Sequence, residues 1–560
     1  MKNILLLLFV LTALSGFGQT KSSIPGPLEQ KEDNYVPNRY NKQRVSPAYH
    51  VRTSGIRTVQ ANVDAQGNNI IGDAANEPNL CIDPKNPARL AIGWRQFDDI
   101  SSNFRQAGWA FTADTGHTWN FPGVIDQGVF RSDPVLDYDT LGTFFYNSLS
   151  TSNNTYYTRV YRSSDGGTTW DNGVEAMGGD KQWMTIDRTN GVGSGNIYEY
   201  WNQYYSYCYP GMFTRSTNHG TSYEACSEIP DSPFWGSLTV DKDGNLYTVG
   251  INGMGSNLVV TKSSNAKIPG AAIVWENSSY INLDGFPSGS AVPVNPVGLM
   301  GMMYIDSDHS DGPGSGNIYV LSSVIRNNGD PADVMFASSN DGGLTWNDPV
   351  QVNDDQSLSN YQWFGTMAVA PNGRIDVVWY DTRDAAAGSD SSALYYSYSV
   401  DQGQTFSVNQ RMSEKFNPNV GYPNQDKIGD YIDIISDNRG AHLAWSATFN
   451  GEQDVYYSYI INDITTGIKT VVPGKYAAVS CYPNPSKENT TLRLQIPAEQ
   501  MTTVTILDLT GKEIRQVYNG RLNSGIHSME ISTEDLPQGI FIIRMKTGAS
   551  VVTSRLVKIG

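Results

Sequence analysis

The sequence predicts an all-β protein in two parts, a large domain of repeated four-stranded units followed by a small β-sandwich. Three observations support this prediction. The 560 residues include 54 glycines, 32 tyrosines and 12 tryptophans, and this composition favours strands and tight turns over helices. A short turn motif returns several times along the chain. Segments that read as strand, polar turn and strand recur at regular spacing.

The N-terminal residues have the pattern of an export signal. Residues 1–18 contain one lysine, an apolar run from Ile4 to Leu14 and small residues at Gly16 and Gly18, so we predict a signal peptide cleaved before Gln19. Residues 19–52 are polar and contain several prolines, and we predict a disordered or pro-segment there. No later segment reaches about 18 apolar residues, and we therefore expect no transmembrane segment.

Charge and cysteine content limit the classes of partner. The formal net charge of −17 disfavours nucleic acid, because no basic stripe is present to neutralise phosphates. The four cysteines are compatible with an oxidising compartment, and their spacing matches no zinc-site pattern. Cys208 and Cys226 are either bridged by a disulfide or two free thiols.

The recurring turn motif reads SSDGGTTW at residues 163–170. Related copies are TADTGHTW at 112–119, SNDGGLTW at 339–346, SVDQGQTF at 399–406 and a degraded STNHGTSY at 216–223. Its hydroxyl and carboxylate side chains suit hydrogen bonds to the turn backbone, glycine supplies a positive φ, and the final aromatic residue packs inward. We therefore predict a structural role for Asp114, Asp165, Asp341 and Asp401. The motif resembles the Asp-box, or BNR repeat, of the sialidase-like β-propellers, and this resemblance implies a propeller fold.

The strand–turn–strand segments give the number of units. Their turns lie near residues 83, 137, 187, 241, 306, 371 and 437, a spacing of roughly 50 to 66 residues that suits a four-stranded blade. We predict a seven-bladed propeller over residues 53–463. Six blades are the alternative, because sialidases of the resembled superfamily have six. The strand at 56–63 is expected to pair with the strand at 454–461, which would close the ring and remove two exposed edges.

The last part of the chain has a different residue pattern. After a linker at 464–474, residues 475–560 alternate short strands with turn signals, which predicts a small Ig-like β-sandwich. The set YPNP, DLTGK and LPQGIFIIRM resembles the type A C-terminal sorting domain of type IX secretion system cargo in Bacteroidetes. That resemblance implies an interaction with the type IX machinery, passage through the periplasm and outer membrane, and a secreted or cell-surface protein. A carbohydrate-binding sandwich is the alternative.

The repeat frame places a candidate ligand site on one face of the ring, which we call the funnel face. The starts of the innermost strands and the loops after the second strands lie on this face, and the Asp-box turns lie on the opposite one. Tryptophan rings stack on sugar C–H faces, while carboxylates and guanidinium groups bind hydroxyls. Alternatively, the tryptophans pack between blades and the Asp–Arg pairs brace loops. The candidate ligand-binding residues are Glu77, Trp94, Arg95, Asp133, Asp180, Lys181, Trp379, Asp381, Arg383, Asp384, Asp430 and Tyr431.

Two functions follow from this arrangement. We predict a secreted or cell-surface propeller that binds a glycan or protein ligand at the funnel face. The alternative is a glycan-active enzyme, either a sialidase-like exo-glycosidase or a polysaccharide lyase. The sialidase resemblance implies three arginines around a substrate carboxylate, a tyrosine–glutamate nucleophile and an aspartate acid/base. The family's Phe/Tyr-Arg-Ile-Pro motif is missing from this sequence, and no catalytic residue can be identified. The arginines expected at the funnel face are Arg95, Arg131, Arg326 and Arg383.

No cofactor or metal site is predicted with a defined ligand set. The acidic segment DSDHSDG offers Asp306, Asp308 and Asp311, which suit calcium as oxygen ligands. Its spacing differs from the EF-hand pattern, and an ordinary acidic turn is the favoured reading.

Overall fold

The computed structural model describes most of the chain as two compact units, Met1–Ile460 and Ile461–Gly560. The predicted signal peptide at 1–18, the linker at 464–474 and most of the segment at 19–52 lie outside the described residues. The described residues are 33–36, 44–53, 55–153, 155–204, 206–276, 278–289, 292–462, 477–548 and 550–560.

The described residues form β-strands and no helix, so none of them provides a helix that could cross a membrane. The first four strands are β1 (Arg44–Pro47), β2 (His50–Arg52), β3 (Ile56–Gln60) and β4 (Asn68–Ile71). Sheet 1 contains β5 (Ala74–Ile82), β6 (Leu90–Phe97), β7 (Gln106–Thr112) and β8 (Asn120–Ile125). Sheet 2 contains β9 (Ser132–Tyr138), β10 (Phe144–Ser152), β11 (Thr155–Ser163) and β12 (Val174–Glu175). Sheet 3 contains β13 (Trp183–Ile186), β14 (Ile197–Tyr200) and β15 (Phe213–Ser216).

The next sheets repeat this antiparallel pattern. Sheet 4 contains β16 (Leu238–Val240), β17 (Leu246–Ile251), β18 (Leu258–Ser263) and β19 (Ser279–Ile281). Sheet 5 contains β20 (Gly285–Phe286), β21 (Tyr304–Ser307), β22 (Ile318–Arg326), β23 (Asp333–Ser339) and β24 (Val350–Gln351). Sheet 6 contains β25 (Gln362–Val369), β26 (Ile375–Asp381), β27 (Ala393–Ser399) and β28 (Gln410–Arg411). Sheet 7 contains β29 (Asp433–Ser436), β30 (Gly440–Ala447) and β31 (Asp454–Ile461), followed by β3 and β2.

The sheets are arranged in a ring around their innermost strands. Each innermost strand contacts that of the next sheet, in the order β5, β9, β13, β16, β21, β25 and β29, and β29 contacts β5 again. This ring of mainly four-stranded antiparallel sheets is the architecture of a β-propeller, as predicted. The sheets cover the same residue ranges as the predicted strand–turn–strand units.

The ring closes by pairing strands from opposite ends of the unit. β3 pairs antiparallel with β31, from Ile56 opposite Ile460 to Gln60 opposite Tyr456, which confirms the predicted closure. β2 pairs with β3 and β1 pairs with β4, so residues 44–52, which were predicted to belong to the polar segment, contribute edge strands beside the ring. These edge strands were assigned to a polar segment because they are short and carry few apolar residues.

Inward-facing polar side chains connect neighbouring sheets along the axis. The Asn79 side chain accepts a hydrogen bond from the backbone N–H of Leu136 in the next sheet (2.6 Å). In the same way Asp137 accepts from the N–H of Ile186 (2.8 Å), Asp306 from that of Val369 (2.8 Å) and Asp433 from that of Leu80 (3.0 Å). These bonds satisfy backbone groups at sheet edges that would otherwise be buried without a partner.

The aspartate turns are held by hydrogen bonds to the aspartate side chains. Asp165 accepts hydrogen bonds from the Ser163 hydroxyl (2.8 Å), the Thr169 hydroxyl (2.7 Å) and the Thr169 backbone N–H (3.0 Å). Equivalent bonds are made by Asp114, Asp341 and Asp401. The Thr115 backbone N–H donates to the carbonyl of Ala88, so this turn shares a face with the turn between β5 and β6, opposite the funnel face.

The second unit is a sandwich of two antiparallel sheets. One sheet has the order β32 (Ala478–Tyr482), β33 (Asn489–Ile496) and β36 (Gly525–Ser532). The other has the order β35 (Glu513–Leu522), β34 (Gln500–Leu507), β37 (Gly539–Thr547) and β38 (Ser550–Lys558). Alternating apolar residues such as Leu492, Leu494, Val504, Ile506 and Ile543 form its core. This is the predicted small β-sandwich.

Removing the closing strands should destabilise the whole first unit. Deletion of residues 44–60 removes the buried side chains of Ile56 and Val59 and exposes the edge of β31. We expect a loss of at least about 3 kcal/mol from the apolar burial alone and a lower melting temperature. Calorimetry measures this effect, and a chain lacking residues 477–560 serves as the control that keeps the first unit intact. An unchanged transition in the deletion variant would show that the ring is closed by other contacts.

Candidate functional site

Each innermost strand has a residue in the left-handed backbone region, either within its first half or in the few residues before it. The seven positions are Glu77, Asp133, Lys181, Trp235, Gly301, Phe364 and Gly429. The register of the strand pair shifts at this end in several sheets, for example between Asn76 and Asn79. Such bulges redirect side chains, and a non-glycine residue adopts this conformation only where its surroundings enforce it. The repeated bulge therefore shapes the funnel end of the axis.

Charged side chains meet at this end of the axis and are buried there. The group comprises four acids and four bases, each no more than 2% exposed: Glu77, Asp133, Asp180, Asp430, Arg95, Arg105, Lys181 and Lys427. We call this group the axial charge cluster. Its formal charges cancel, and this balance is the condition under which buried ions are tolerated.

The Asp430 carboxylate lies at the centre of the cluster. Its Oδ2 atom is 2.7 Å from Nζ of Lys181 and 2.7 Å from Nζ of Lys427. Lys181 also reaches Asp133, at 3.1 Å. The other Asp430 oxygen accepts the backbone N–H of Leu299 at 2.8 Å. The Asp430 carboxylate thus connects segments that lead into sheets 3, 5 and 7, and Lys181 extends the contact to Asp133 in sheet 2.

Mutual attraction outweighs burial at two groups of the cluster, Asp430 and Lys181. Burial alone would raise the pKa of Asp430, but the charges of Lys181 and Lys427 hold that pKa well below its usual range. Burial alone would lower the pKa of Lys181, but Asp133 and Asp430 raise that pKa well above its usual range. Asp430 and Lys181 therefore stay charged at neutral pH.

Half of the predicted ligand-binding residues lie in the axial charge cluster. The structure brings Glu77, Arg95, Asp133, Asp180, Lys181 and Asp430 together, but buries them. The sequence reasoning missed Lys427 and Arg105. Lys427 stands three residues before Asp430, a spacing that indicates a partner, whereas Arg105, just before β7, has no comparable pattern.

The two predicted tryptophans are also buried. Trp94 and Trp379 are both 0% exposed, so neither presents a ring face to a ligand. The Trp94 indole N–H donates to Gln96 (2.7 Å) and the Trp379 indole N–H donates to Asp381 (2.8 Å). Each tryptophan thus packs inside the ring and bonds to the residue two positions later, which is the alternative that the sequence left open.

The loop at 379–384 is braced by its own arginine. Arg383 donates to Asp381 (2.9 Å), Asp354 (2.6 Å) and Asn409 (3.0 Å), and its guanidinium lies 4.6 Å from the centre of the Tyr395 ring. The Asp384 carboxylate accepts the Tyr395 hydroxyl at 2.7 Å. These contacts occupy the polar groups expected to bind ligand, and they fit the bracing alternative.

Tyr431 belongs to the wall of the ring. Its side chain is 2% exposed, its hydroxyl donates to the carbonyl of Pro134 (2.9 Å), and its ring meets the Trp183 ring edge-on at 5.2 Å. It therefore joins the segment before sheet 7 to β9 of sheet 2, where a ligand has no access to it.

The four arginines expected at the funnel face each pair with their own carboxylate. Arg95 lies 3.1 Å from Glu77, and Arg131 lies 2.8 Å from Asp126. Arg326 lies 2.6 Å from both Asp284 and Asp333, and Arg383 is engaged as described above. These separate pairings leave none of the four positive charges uncompensated for a substrate carboxylate.

The acidic turn after β21 has its own hydrogen-bond donors. Asp306 accepts from the N–H groups of Ser307 and Val369, both at 2.8 Å, and Asp308 accepts from that of Ser310 at 2.8 Å. Within the described ranges, no three acidic, histidine or cysteine side chains are grouped so as to hold a metal ion. Calcium at Asp306, Asp308 and Asp311 therefore gains no support from the geometry.

Exposed tyrosines lie on two neighbouring segments of the funnel face. The loop after β14 carries Tyr207, 48% exposed, and Tyr209, 63% exposed. A bridge between Tyr156 and Ser206 places this loop beside the start of β11 in sheet 2. We call the half-buried to exposed tyrosines on these two segments the tyrosine surface, which consists of Tyr156, Tyr157, Tyr204, Tyr207 and Tyr209.

Comparison with known proteins identifies the second unit. Residues 480–559 match the family described as secretion system C-terminal sorting domain, which confirms the predicted sorting domain. No curated protein sequence was found to match the chain.

Several solved structures resemble the chain. A protein of unknown function from Dyadobacter fermentans is 12% identical, with 73% of this chain and 100% of that chain covered and a TM-score of 0.42. Hydrazine synthase from Kuenenia stuttgartiensis is 12% identical, with coverages of 67% and 94% and a TM-score of 0.40. Trypanosoma rangeli sialidase in complex with the inhibitor DANA is 10% identical, with coverages of 91% and 89% and a TM-score of 0.36.

Removing one charge from the axial charge cluster should lower the urea concentration at which the propeller unfolds. Lys181→Met keeps most of the side-chain volume but leaves Asp133 without its ammonium partner and Asp430 with one instead of two. We expect a loss of about 3–5 kcal/mol, the usual cost of an uncompensated buried charge, measured by urea unfolding. Lys85→Met, at an exposed turn, is the matched control and should change stability by less than about 0.5 kcal/mol. Equal stability of the two variants would contradict the role assigned to the cluster.

Proposed function

We propose that the protein is type IX secretion cargo whose propeller binds a glycan at the cell surface or outside the cell, through the tyrosine surface. The sorting domain at 480–559 indicates export. The observation that carries the binding proposal is the exposure of Tyr207 and Tyr209 beside a neighbouring pair of tyrosines on the same face. Contiguous exposed apolar patches are uncommon on soluble monomers and often mark binding sites.

Tyrosine has the chemistry that a sugar requires. Its ring face packs against C–H groups, and its hydroxyl exchanges hydrogen bonds with sugar hydroxyls. Tyr204 and Tyr209 stack with ring centres 6.2 Å apart and planes 27° apart, which gives an extended aromatic patch. The Tyr207 hydroxyl donates to Glu175 at 3.1 Å, which fixes its ring while the rest of the side chain stays exposed.

The loop that carries these rings is held in place. Cys208 and Cys226 form a disulfide, with Cα atoms 6.1 Å apart, that ties the loop to the strand edge beyond β15. The Ser206 hydroxyl donates to the carbonyl of Gly178 at 2.7 Å. A surface that is ordered before binding loses less conformational entropy on binding, so these contacts favour recognition.

The charge of the site favours a neutral glycan over an acidic one. The chain has a formal net charge of −17, and the four arginines expected at the funnel face are paired with carboxylates. A substrate carboxylate would therefore meet no uncompensated guanidinium among them, which weakens the sialidase alternative. Binding without bond cleavage requires only the rings and hydroxyls of the tyrosine surface.

Loss of the exposed tyrosines should abolish glycan binding without unfolding the protein. For the double variant Tyr207→Ala, Tyr209→Ala we expect at least about tenfold weaker binding to the best neutral glycan on an array, because the stacking area is lost. Tyr280→Ala is the matched control, since Tyr280 is 57% exposed on β19 of sheet 4. A wild-type binding profile in the double variant would refute the proposal. Sugar products released by the wild-type protein would establish the enzyme alternative instead.

Truncation should separate export from binding. A chain lacking residues 477–560 is expected to stay in the periplasm, because the segment that matches the sorting domain is removed, and to keep a folded first unit. Cell fractionation and protease accessibility measure its location, with the full-length chain as control. Surface delivery of the truncated chain at the full-length level would disprove the role of the second unit as the export address.

A further inference from the structure

A short segment before β1 lies against the loop that joins β6 to β7. Its described residues are 33–36, with the sequence Asp-Asn-Tyr-Val, and we call this segment the latch. Asp33 and Asn103 are 70 positions apart in the sequence, so their contact belongs to the tertiary fold and not to a local turn. The ring residues that the latch contacts are Ser102, Asn103, Phe104, Gln127 and Gly128.

Asp33 is held through both its backbone and its side chain. Its backbone N–H donates to Oδ1 of Asn103 at 2.5 Å. Its carboxylate accepts the backbone N–H of Asn103 at 2.9 Å and the hydroxyl of Ser102 at 3.1 Å. Hydrogen bonds that a carboxylate accepts are stronger than neutral ones. This pair of loop residues therefore favours an aspartate in the latch.

Tyr35 makes the second contact of the latch. Its ring lies against the Phe104 ring with the centres 5.3 Å apart, and its hydroxyl accepts the side-chain N–H of Gln127 at 3.3 Å. A Cβ atom at Gly128 would come within 3.0 Å of the Tyr35 ring, so the glycine leaves room for it. Aromatic pairs in tilted geometry attract each other beyond the area that they bury. The site therefore favours an aromatic residue two positions after the aspartate.

The residues that hold the latch are neighbours of the axial charge cluster. The Asn103 carbonyl accepts a hydrogen bond from the Arg105 guanidinium at 2.9 Å. That guanidinium lies 4.6 Å from the centre of the Phe130 ring, and the Phe130 and Phe104 rings lie 6.3 Å apart. Polar and aromatic contacts thus both connect the latch to Arg105. A docked latch therefore restrains the loop that leads into the cluster.

The latch also forms one wall of a cavity of about 550 Å³ beside sheet 1. The cavity is lined on one side by Asn34, Tyr35 and Val36 and on the other by residues of β4, β6 and β8. Tyr35 is half-buried, whereas the other three latch residues are exposed. Segments with so little buried apolar surface open locally at a lower free energy than the core does. The latch can therefore leave its site while the ring stays folded.

We propose that the surface formed by Ser102, Asn103, Phe104, Gln127 and Gly128 is a docking site for an extended peptide with an aspartate and, two positions later, a tyrosine. Its occupant is the chain's own latch, which binds reversibly. The pairing of β1 with β4 tethers the latch near the site and gives it a high effective concentration there. Departure of the latch opens one side of the cavity and frees the loop before Arg105. The site shares no residue with the tyrosine surface and is independent of the proposed glycan binding.

A chain that begins at residue 44 tests the site, because it lacks the latch and keeps β1 to β4. The probe is the capped peptide of residues 30–38, QKEDNYVPN, titrated by calorimetry at pH 7. We expect it to bind the shortened chain at least about tenfold more tightly than the full-length chain, where the tethered latch competes. Peptides with Asp33→Ala or Tyr35→Ala should bind the shortened chain at least about tenfold more weakly. Asn34→Ala is the matched control and should bind as the unchanged peptide does.

Hydrogen exchange on the full-length chain provides a second measurement. In the Asp33→Ala variant we expect the Asn103 amide, which loses its carboxylate acceptor, to exchange at least about tenfold faster than in the wild type. The Gly167 amide, which bonds to the Ser163 hydroxyl in an aspartate turn, should exchange at the wild-type rate. The proposal is overturned if the folded shortened chain binds no peptide at millimolar concentration, if the Asp33→Ala peptide binds equally tightly, or if the Asn103 amide exchanges as in the wild type. The exchange measurement decides the question even if the shortened chain fails to fold.

Discussion

The carboxylate of Asp430, held between the ammonium groups of Lys181 and Lys427, is the interaction on which the funnel end of the ring depends. Charges buried among protein atoms are stable only in balanced, well-bonded groups, and here four acids face four bases. Such a group has one arrangement that satisfies it. Apolar packing between sheets tolerates small rotations of one sheet against the next. Such a rotation would lengthen the 2.7 Å contact between Lys181 and Asp430 and weaken this ion pair. The cluster therefore defines the geometry at which the sheets meet.

Local chemistry explains why the fold was predictable. An aspartate turn such as 163–170 and the strands around it depend on neighbouring residues, so the recurring four-stranded units could be inferred from the sequence. The pairing of β3 with β31 could be inferred because each was a strand left without a complete unit of its own. Two further turns have asparagine in place of aspartate, and Asn218 and Asn265 each accept a hydrogen bond from the serine hydroxyl two residues earlier. The sequence indicated only the turn at Asn218, as a degraded copy of the motif. The short strands β1 and β2 lack an apolar pattern and were missed.

The site was only partly predictable, because burial is decided by distant loops. The repeat frame placed Glu77, Asp133 and Lys181 correctly at one end of the axis, but nothing in their own segments shows that they are covered. A polar side chain two positions after a tryptophan can accept its indole N–H. Gln96 after Trp94 and Asp381 after Trp379 have this spacing, which is a sequence signal for a buried indole. The exposed tyrosines lie away from the axis, at the tyrosine surface.

Ring closure also constrains the order in which contacts of the first unit can form. Thr58 and Ser458, whose hydroxyls lie 2.8 Å apart, are separated by 400 residues, so a chain made from its N-terminus completes this contact after nearly all others in the unit. Contacts of such long range form slowly, and until then two sheet edges stay open to misassembly. The sorting domain follows the closing strand in sequence, at 480–559. Every chain that has synthesised its export address has therefore already synthesised the strand that closes its ring.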